Sequence, residues 1–189
     1  TVVMPITFLI SSLGMAIGSG GSSIISRAFG SKNHDKAYST FGNQVLLTTI
    51  LSVSSVVLGY VYLDEILFLF GAKGEIIPPA REYFAITLLG VPFLAWAMMS
   101  NHIIRTEGYP KIAMFTLIIP AIINLILDPL LIIVFDMGMA GAAWATVVSY
   151  VFSAAFTTHF FIRGKSKMRL QWAYLKWELS IIKEILSLG

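Results

Sequence analysis

Four long stretches of this sequence contain no Asp, Glu, Lys or Arg, and a fifth contains a single charge. The charge-free stretches are 1–26, 37–63, 83–104 and 137–162, and the fifth, 112–135, contains only Asp128. A helix needs about 20 apolar residues to cross the roughly 30 Å hydrocarbon core of a bilayer. The apolar residues do not alternate with polar ones, as the strands of a membrane barrel require. The sequence therefore predicts an all-α, polytopic membrane helical bundle with five transmembrane helices.

The composition excludes several classes of protein. Hydrophobic residues make up 57% of the 189 residues and charged residues 12%, whereas a soluble domain carries about 25% charged residues. A soluble domain this short could not bury so much apolar surface. The chain has no Cys, which excludes thiol redox chemistry, thiolate nucleophiles and zinc sites built on Cys. An ordinary soluble enzyme, a disordered tail and a disulfide-stapled module are therefore excluded.

Basic residues collect in alternate loops between the predicted helices. They are Arg27, Lys32 and Lys36, then Arg105 and Lys111, then Arg163, Lys165, Lys167 and Arg169. The intervening loops are mainly acidic. Because Lys and Arg are enriched on the cytoplasmic side of membrane proteins, we predict a multi-pass protein of the cell membrane with cytoplasmic basic loops and a cytoplasmic carboxy-terminal tail. The net charge of +3 then reflects topology, and we expect no nucleic-acid binding.

Two segments are too short or too polar to span the membrane. Residues 64–72 predict a short interfacial helix at the outer surface. In the tail, apolar residues repeat at helical spacing from Leu170 onward, at Trp172, Leu175, Leu179, Ile182 and Leu186. This pattern predicts an amphipathic helix on the cytoplasmic leaflet, with packing against a partner domain as the alternative. We therefore divide the chain into a transmembrane part, 1–163, and a basic amphipathic connector, 164–189.

Asp128 is the charged residue inside the fifth stretch. A carboxylate within a membrane span is costly, and such residues are usually functional and face the bundle interior. Asn124 lies one turn earlier on the same face, and Pro129 removes the backbone donor that would satisfy the carbonyl of Leu125. These oxygens predict a site for a proton or a hard cation such as Na+. The alternative is an Asp that is hydrogen-bonded for structural reasons alone.

Polar residues on other predicted helices are candidates for the opposite wall of this site. The helix after Asp128 follows a short loop, so the two helices are expected to be antiparallel neighbours. Thr146 is then best placed to meet Asp128, and Ser149 is the second choice. Asn101, in the third charge-free stretch, is a further candidate for a cavity wall.

Small residues crowd the first predicted helix between Gly14 and Ser23. Such residues let membrane helices pack closely. The segment matches no phosphate-binding glycine motif. An intramembrane serine hydrolase would need a Ser such as Ser19 or Ser22 paired with His102 or His159, and no nucleophile motif supports that alternative.

Three motifs resemble those of the multidrug and toxic compound extrusion (MATE) family. They are GMAIGSGGSSIISRAFG at 14–30, RTEGYPK at 105–111 and NLILDP at 124–129. Members of that family have twelve helices in two six-helix lobes and exchange Na+ or H+ for organic cations and drugs. The resemblance implies helices two to six of the amino-terminal lobe and the connector to a second lobe. We therefore expect further protein on both sides, including a first helix.

The resemblance also implies roles for individual residues. The pair that matches Asn124 and Asp128 contributes oxygens to a cation site. A Thr and the carbonyl of a small residue on the next helix join that pair, and Thr146 and Ala142 match them by spacing. The first helix of the family adds another carboxylate. The function implied is a secondary active transporter, not an enzyme, that uses Na+ or H+ as coupling ion and no other cofactor.

Other functions remain open at this stage. A flippase for lipid-linked sugars shares the architecture, but it is expected to place several Arg or Lys in its cavity for a pyrophosphate group, and no predicted span contains one. A non-transporting scaffold is the other alternative.

Overall fold

A computed structural model describes residues 4–164, 166–168 and 174–189, and most of these residues are helical. The helices are α1 (Met4–Gly30), α2 (His34–Val61), α3 (Leu63–Leu69), α4 (Ile77–Thr106), α5 (Pro110–Pro129), α6 (Gly138–Arg163) and α7 (Leu179–Leu188). A 3-10 turn (Gly74–Ile76) precedes α4, and a π-helical turn (Leu130–Val134) follows α5. The predicted all-α bundle of long helices is confirmed.

Each predicted span corresponds to one long helix. Among the described residues, four segments are long and apolar enough to cross a membrane: His34–Val61, Gly74–Thr106, Pro110–Val134 and Gly138–Arg163. Helix α1 is not one of these four, but its 27 residues extend about 40 Å at 1.5 Å per residue. It packs along α4, which lies at the centre of the bundle and also contacts α2, α5 and α6.

The small residues of α1 serve helix packing, as predicted. A side chain at Gly14 or Gly18 would press against α4, and one at Gly21 would overlap the side chain of Gln44 on α2. Gln44 fills this space and donates from its amide nitrogen to the carbonyl oxygen of Ile17, 2.8 Å away. The glycines therefore bring two neighbouring helices close to α1, where a polar side chain can bond to backbone.

Helix α5 contains a proline whose missing hydrogen bond is replaced by a neighbouring helix. Pro120 cannot donate to the carbonyl of Thr116, one turn earlier. The hydroxyl of Ser153 on α6 donates to that carbonyl over 2.7 Å. Ser153 is buried, so this bond connects the interrupted helix to its neighbour in the interior of the bundle.

Replacing Ser153 with Ala is expected to lower the free energy of unfolding by about 1 kcal/mol, because the carbonyl of Thr116 loses its donor. Adding Pro120→Ala restores a backbone N–H at position 120, which can donate to the same carbonyl. The cost of Ser153→Ala should therefore be smaller in the Pro120→Ala background. Chemical unfolding in detergent for the four proteins of this cycle measures the difference. If Ser153→Ala lowers the free energy of unfolding equally in both backgrounds, the N–H restored at position 120 does not replace the lost hydroxyl donor.

The short helix α3 overlaps 64–72, where a short helix was predicted, and its place at the membrane interface stays a prediction. Its buried leucines pack against α4, whereas Phe68 and Leu69 are mostly exposed. Asp64 and Arg81 form an ion pair of 2.9 Å at the same end of the bundle. An exposed apolar edge beside charged residues is typical of a helix at a membrane surface.

The carboxy-terminal helix agrees with the prediction in part. Trp172 lies outside the described residues, and Leu175 precedes α7, which begins at Leu179. Of the predicted apolar face, Ile182 is buried, whereas Leu179 and Leu186 are exposed. The other buried residues of the helix are Ile181 and Ile185, so the buried stripe shares only Ile182 with the predicted face. The helix packs against α1 and α2 of the same chain, so its apolar face is covered by protein.

Candidate ion and substrate site

Asp128 lies in the last turn of α5, directly before the π-helical turn. The amide of Phe135 donates to the carbonyl of Leu130, five residues earlier, over 3.0 Å, which is the bonding pattern of a π-helix. Pro129 separates Asp128 from this turn and has no N–H. The carboxylate therefore lies where the regular α-helical bonding of the segment ends. π-helical turns of this kind occur frequently at functional sites.

The structure brings the four predicted cation-site residues together. The amide nitrogen of Asn124 lies 3.4 Å from Oδ1 of Asp128 and 3.5 Å from the hydroxyl of Thr146. The hydroxyl of Thr146 donates to the carbonyl of Ala142 over 3.0 Å. The two contacts of Asn124 are long for hydrogen bonds and therefore weak. The amide nitrogen of Asn124 thus lies between an oxygen of Asp128 on α5 and the hydroxyl of Thr146 on α6, with little strong bonding among the side chains.

The donor set fits a proton or a small monovalent cation. One carboxylate, one hydroxyl and one backbone carbonyl are hard oxygen donors, and rotation of the Asn124 amide would turn its oxygen toward the same place. Within the described ranges there is no group of three or more His, Cys, Asp or Glu side chains that could hold a metal ion. The cluster therefore offers a single negative charge, which one proton or one Na+ would neutralise.

The close approach of α6 to α5 depends on Gly141. A Cβ atom at this position would lie 2.8 Å from the carbonyl carbon of Leu131 and 2.9 Å from its oxygen, both in the π-helical turn. Contacts this short with backbone atoms cannot be relieved by a side-chain rotation. The absence of a side chain at Gly141 therefore permits the contact that brings Ala142 and Thr146 opposite Asp128.

A cavity of about 460 Å³ opens beside this cluster, between α1, α4, α5 and α6. The polar residues of its wall are Ser11, Tyr83, Thr87, Asn124, Thr146, Ser149 and Tyr150. The apolar residues are Phe8, Leu94, Met98, Leu117, Pro120 and Ala121. Asn124 and Thr146 belong both to the wall and to the Asp128 cluster, and Ser149 lies in the wall as predicted.

Several residues of the cavity wall were not predicted from the sequence. Tyr83 and Thr87 lie one turn apart on α4, and Tyr150 lies one turn after Thr146 on α6. Polar side chains at this spacing in an otherwise apolar helix share one face. That spacing is the signal that could have found them.

Asn101 does not lie in this cavity wall, contrary to its predicted position. Its amide nitrogen donates to the carbonyl oxygen of Ala113 and to the hydroxyl oxygen of Thr116, each over 2.7 Å. Asn101 is buried between α4 and α5. A polar residue in an apolar helix can bond to the backbone of a neighbour as well as line a cavity, so Asn101 serves the packing of these helices.

The serine residues considered for a hydrolase are bonded to backbone. Ser19 donates to the carbonyl of Ala16 over 3.2 Å, and Ser22 donates to the carbonyl of Ser19 over 3.0 Å. Hydroxyls that donate within their own helix are not hydrogen-bonded to a general base, as a nucleophile requires.

Comparisons with known proteins agree with the fold. The MatE family model matches residues 1–130. The chain is 28% identical over 189 residues to the multidrug export protein MepA of Staphylococcus saprophyticus, covering all of this chain and 42% of that protein. It is 31% identical over 194 residues to the probable multidrug resistance protein YoeA of Bacillus subtilis, covering 98% of this chain and 42% of that protein.

Solved transporter structures superimpose closely on this chain. An inward-facing multidrug resistance MATE family transporter of the MOP superfamily superimposes with a TM-score of 0.93 at 28% identity, covering the whole of this chain and 43% of that one. A MOP superfamily transporter from Pyrococcus furiosus superimposes with a TM-score of 0.90 at 28% identity, covering 99% of this chain and 42% of that one. The chain thus spans somewhat less than half the length of these relatives. Since the family model matches more than half of the chain, this protein belongs to the MatE family.

Proposed function

We propose that the full-length protein exports organic cations and drugs in exchange for Na+ or H+ by alternating access. The observation that carries the proposal is the cluster of Asp128, Asn124 and Thr146 at the wall of a cavity between four helices. Relatives named as multidrug export proteins support it. They are more than twice as long as this chain, which supports a second lobe and a first helix as further parts of the transporter.

The chemistry of the cavity favours positively charged cargo. Its wall combines tyrosine rings, methionine and leucine side chains with neutral polar groups, which suits flat or flexible organic molecules. The deprotonated carboxylate of Asp128 supplies a negative charge beside this wall and attracts an organic cation or Na+. Protonation of Asp128 removes the charge and weakens the attraction.

Exchange requires that the ion and the cargo favour different conformations. An ion shifts a conformational equilibrium only by the difference between its affinities for the two states. We propose that the ion favours the packing of α5 and α6 in which Asp128, Asn124 and Thr146 lie together, and that the organic cation favours a wider cavity. The basic loops are proposed to face the cytoplasm, because Lys and Arg concentrate on that side.

The described wall of the cavity contains no Lys or Arg. A flippase for lipid-linked sugars would need such residues to hold the pyrophosphate. Cationic cargo is therefore favoured over anionic lipid.

The test measures efflux of a fluorescent organic cation from proteoliposomes that contain the full-length protein. We expect efflux when an inward Na+ or H+ gradient is imposed, and its loss when an ionophore dissipates that gradient. Liposomes without protein give the background. If neither gradient moves the cation, and a lipid-linked pyrophosphate is translocated instead, the flippase alternative replaces the proposal.

A further inference from the structure

The segment that follows α6 is bound to the loop between α4 and α5 by one carboxylate. Glu107 accepts hydrogen bonds from the hydroxyl of Ser166, at 2.8 and 3.0 Å, and from the backbone amides of Lys167 and Met168, each at 2.8 Å. Bonds to an ionised acceptor are stronger than bonds between neutral groups. Met168 is fully buried. The chain that leaves α6 is therefore held at a defined place on the bundle.

The next described part of the connector is bound to α2. The side-chain oxygen of Asn43 accepts from the amide of Glu178 over 2.9 Å, at the start of α7. Lys36 forms an ion pair of 3.0 Å with Glu184, in the middle of α7. Asn43 is buried, so its bond to the connector backbone is shielded from water.

Two glycines allow the connector backbone to touch the bundle. A Cβ atom at Gly20 on α1 would overlap the carbonyl oxygen of Ile185, and one at Gly42 on α2 would overlap the carbonyl oxygen of Tyr174. Both obstacles are backbone atoms, so a larger residue could be accommodated only if the connector moved away. Gly30, in the last turn of α1, has open space where a Cβ would lie.

We propose that the described connector residues, 166–168 and 174–188, form one rigid body with α1, α2 and the loop that contains Glu107, and that they remain docked there in every conformation of the transporter. In this proposal Gly20 and Gly42 are the docking surface, and Glu107 positions the start of the connector. The docking itself does not depend on the proposed transport function. Only its persistence through a transport cycle rests on that function.

The first experiment compares Gly20→Ala with Gly30→Ala in the full-length protein by hydrogen exchange. Gly20→Ala should raise the exchange rates of the α7 amides by about tenfold or more, because the added Cβ overlaps the backbone of α7. Gly30→Ala, which adds the same methyl group to the same helix in open space, should leave those rates unchanged. Equal rates in both variants, or faster exchange throughout the bundle in Gly20→Ala, would overturn the assignment of Gly20 as a docking surface.

The second experiment measures the distance between spin labels at Ser31→Cys and Ser187→Cys. Both positions are exposed, and the 189 residues contain no native Cys. A single narrow distance distribution is expected without ligand, with tetraphenylphosphonium, and at high and low Na+ and H+. A shifted or two-component distribution in any condition would overturn the rigid body. Efflux and label distance are independent readouts, so failure of the transport proposal remains distinguishable from failure of this one.

Discussion

Replacing Asp128 with Asn is expected to reduce gradient-driven efflux of an organic cation by at least about 30-fold. The substitution keeps the shape of the side chain but removes the charge of the cluster. Two unit charges 4 Å apart attract by about 4 kcal/mol at an effective dielectric constant near 20, which is an upper limit because Asp128 is partly exposed. Interactions with an ionised group are worth about 2 kcal/mol, within the usual range of about 1.5 to 3 kcal/mol. A loss of that size corresponds to roughly 30-fold in affinity.

Asp136→Asn is the matched control for this variant. Asp136 follows the same π-helical turn but is exposed, and its positive φ of 53° is one that Asn also adopts readily. We expect this variant to transport like the wild type. If Asp128→Asn unfolds more easily but binds the coupling ion unchanged, the carboxylate is structural and the scaffold alternative is favoured. If it transports normally, coupling resides in another part of the full-length protein.

Replacing Gly141 with Ala is expected to lower the free energy of unfolding by about 1 to 3 kcal/mol, as overpacking of a close contact usually does. The new methyl group would meet the backbone of Leu131, so the π-helical turn and α6 must separate. That separation moves Thr146 away from Asp128. Ion-driven efflux should therefore fall as well, in the fraction of protein that remains folded.

Chemical unfolding in detergent and efflux in proteoliposomes measure the two effects of Gly141→Ala. Gly30→Ala serves as control, because it adds the same group where nothing lies within 4 Å. Both effects should be absent in the control. Normal stability and normal efflux in Gly141→Ala would show that the contact between α6 and the π-helical turn is unimportant for the site.

The arrangement of Asn124, Asp128 and Thr146 could be predicted because two simple rules apply to these residues. Asn124 and Asp128 are four residues apart on one helix, which fixes their common face. The short loop before α6 makes that helix an antiparallel neighbour, which places Thr146 opposite. Both rules depend on local spacing, and the structure brings these side chains together.

Other parts of the site depend on contacts that spacing does not determine. The π-helical turn is one example, since it lies where Gly141 lets α6 pack against the backbone of Leu131. Asn101 is another, because its partners Ala113 and Thr116 lie across a helix interface. Tyr83 and Tyr150 belong to different helices, and only the packing of α4 against α6 places both in one wall.

The docked connector also determines where this chain can be exchanged with a relative. A chimera joined directly after α6, at residue 163, would combine the Glu107 loop and the Gly20 and Gly42 surface of one parent with the connector of another. Each of these contacts involves backbone atoms or a buried side chain, so such a protein is expected to lose the fit between the two. A junction beyond Leu188 keeps all of these contacts within one parent. In swaps between family members, the connector therefore belongs with the helices that precede it.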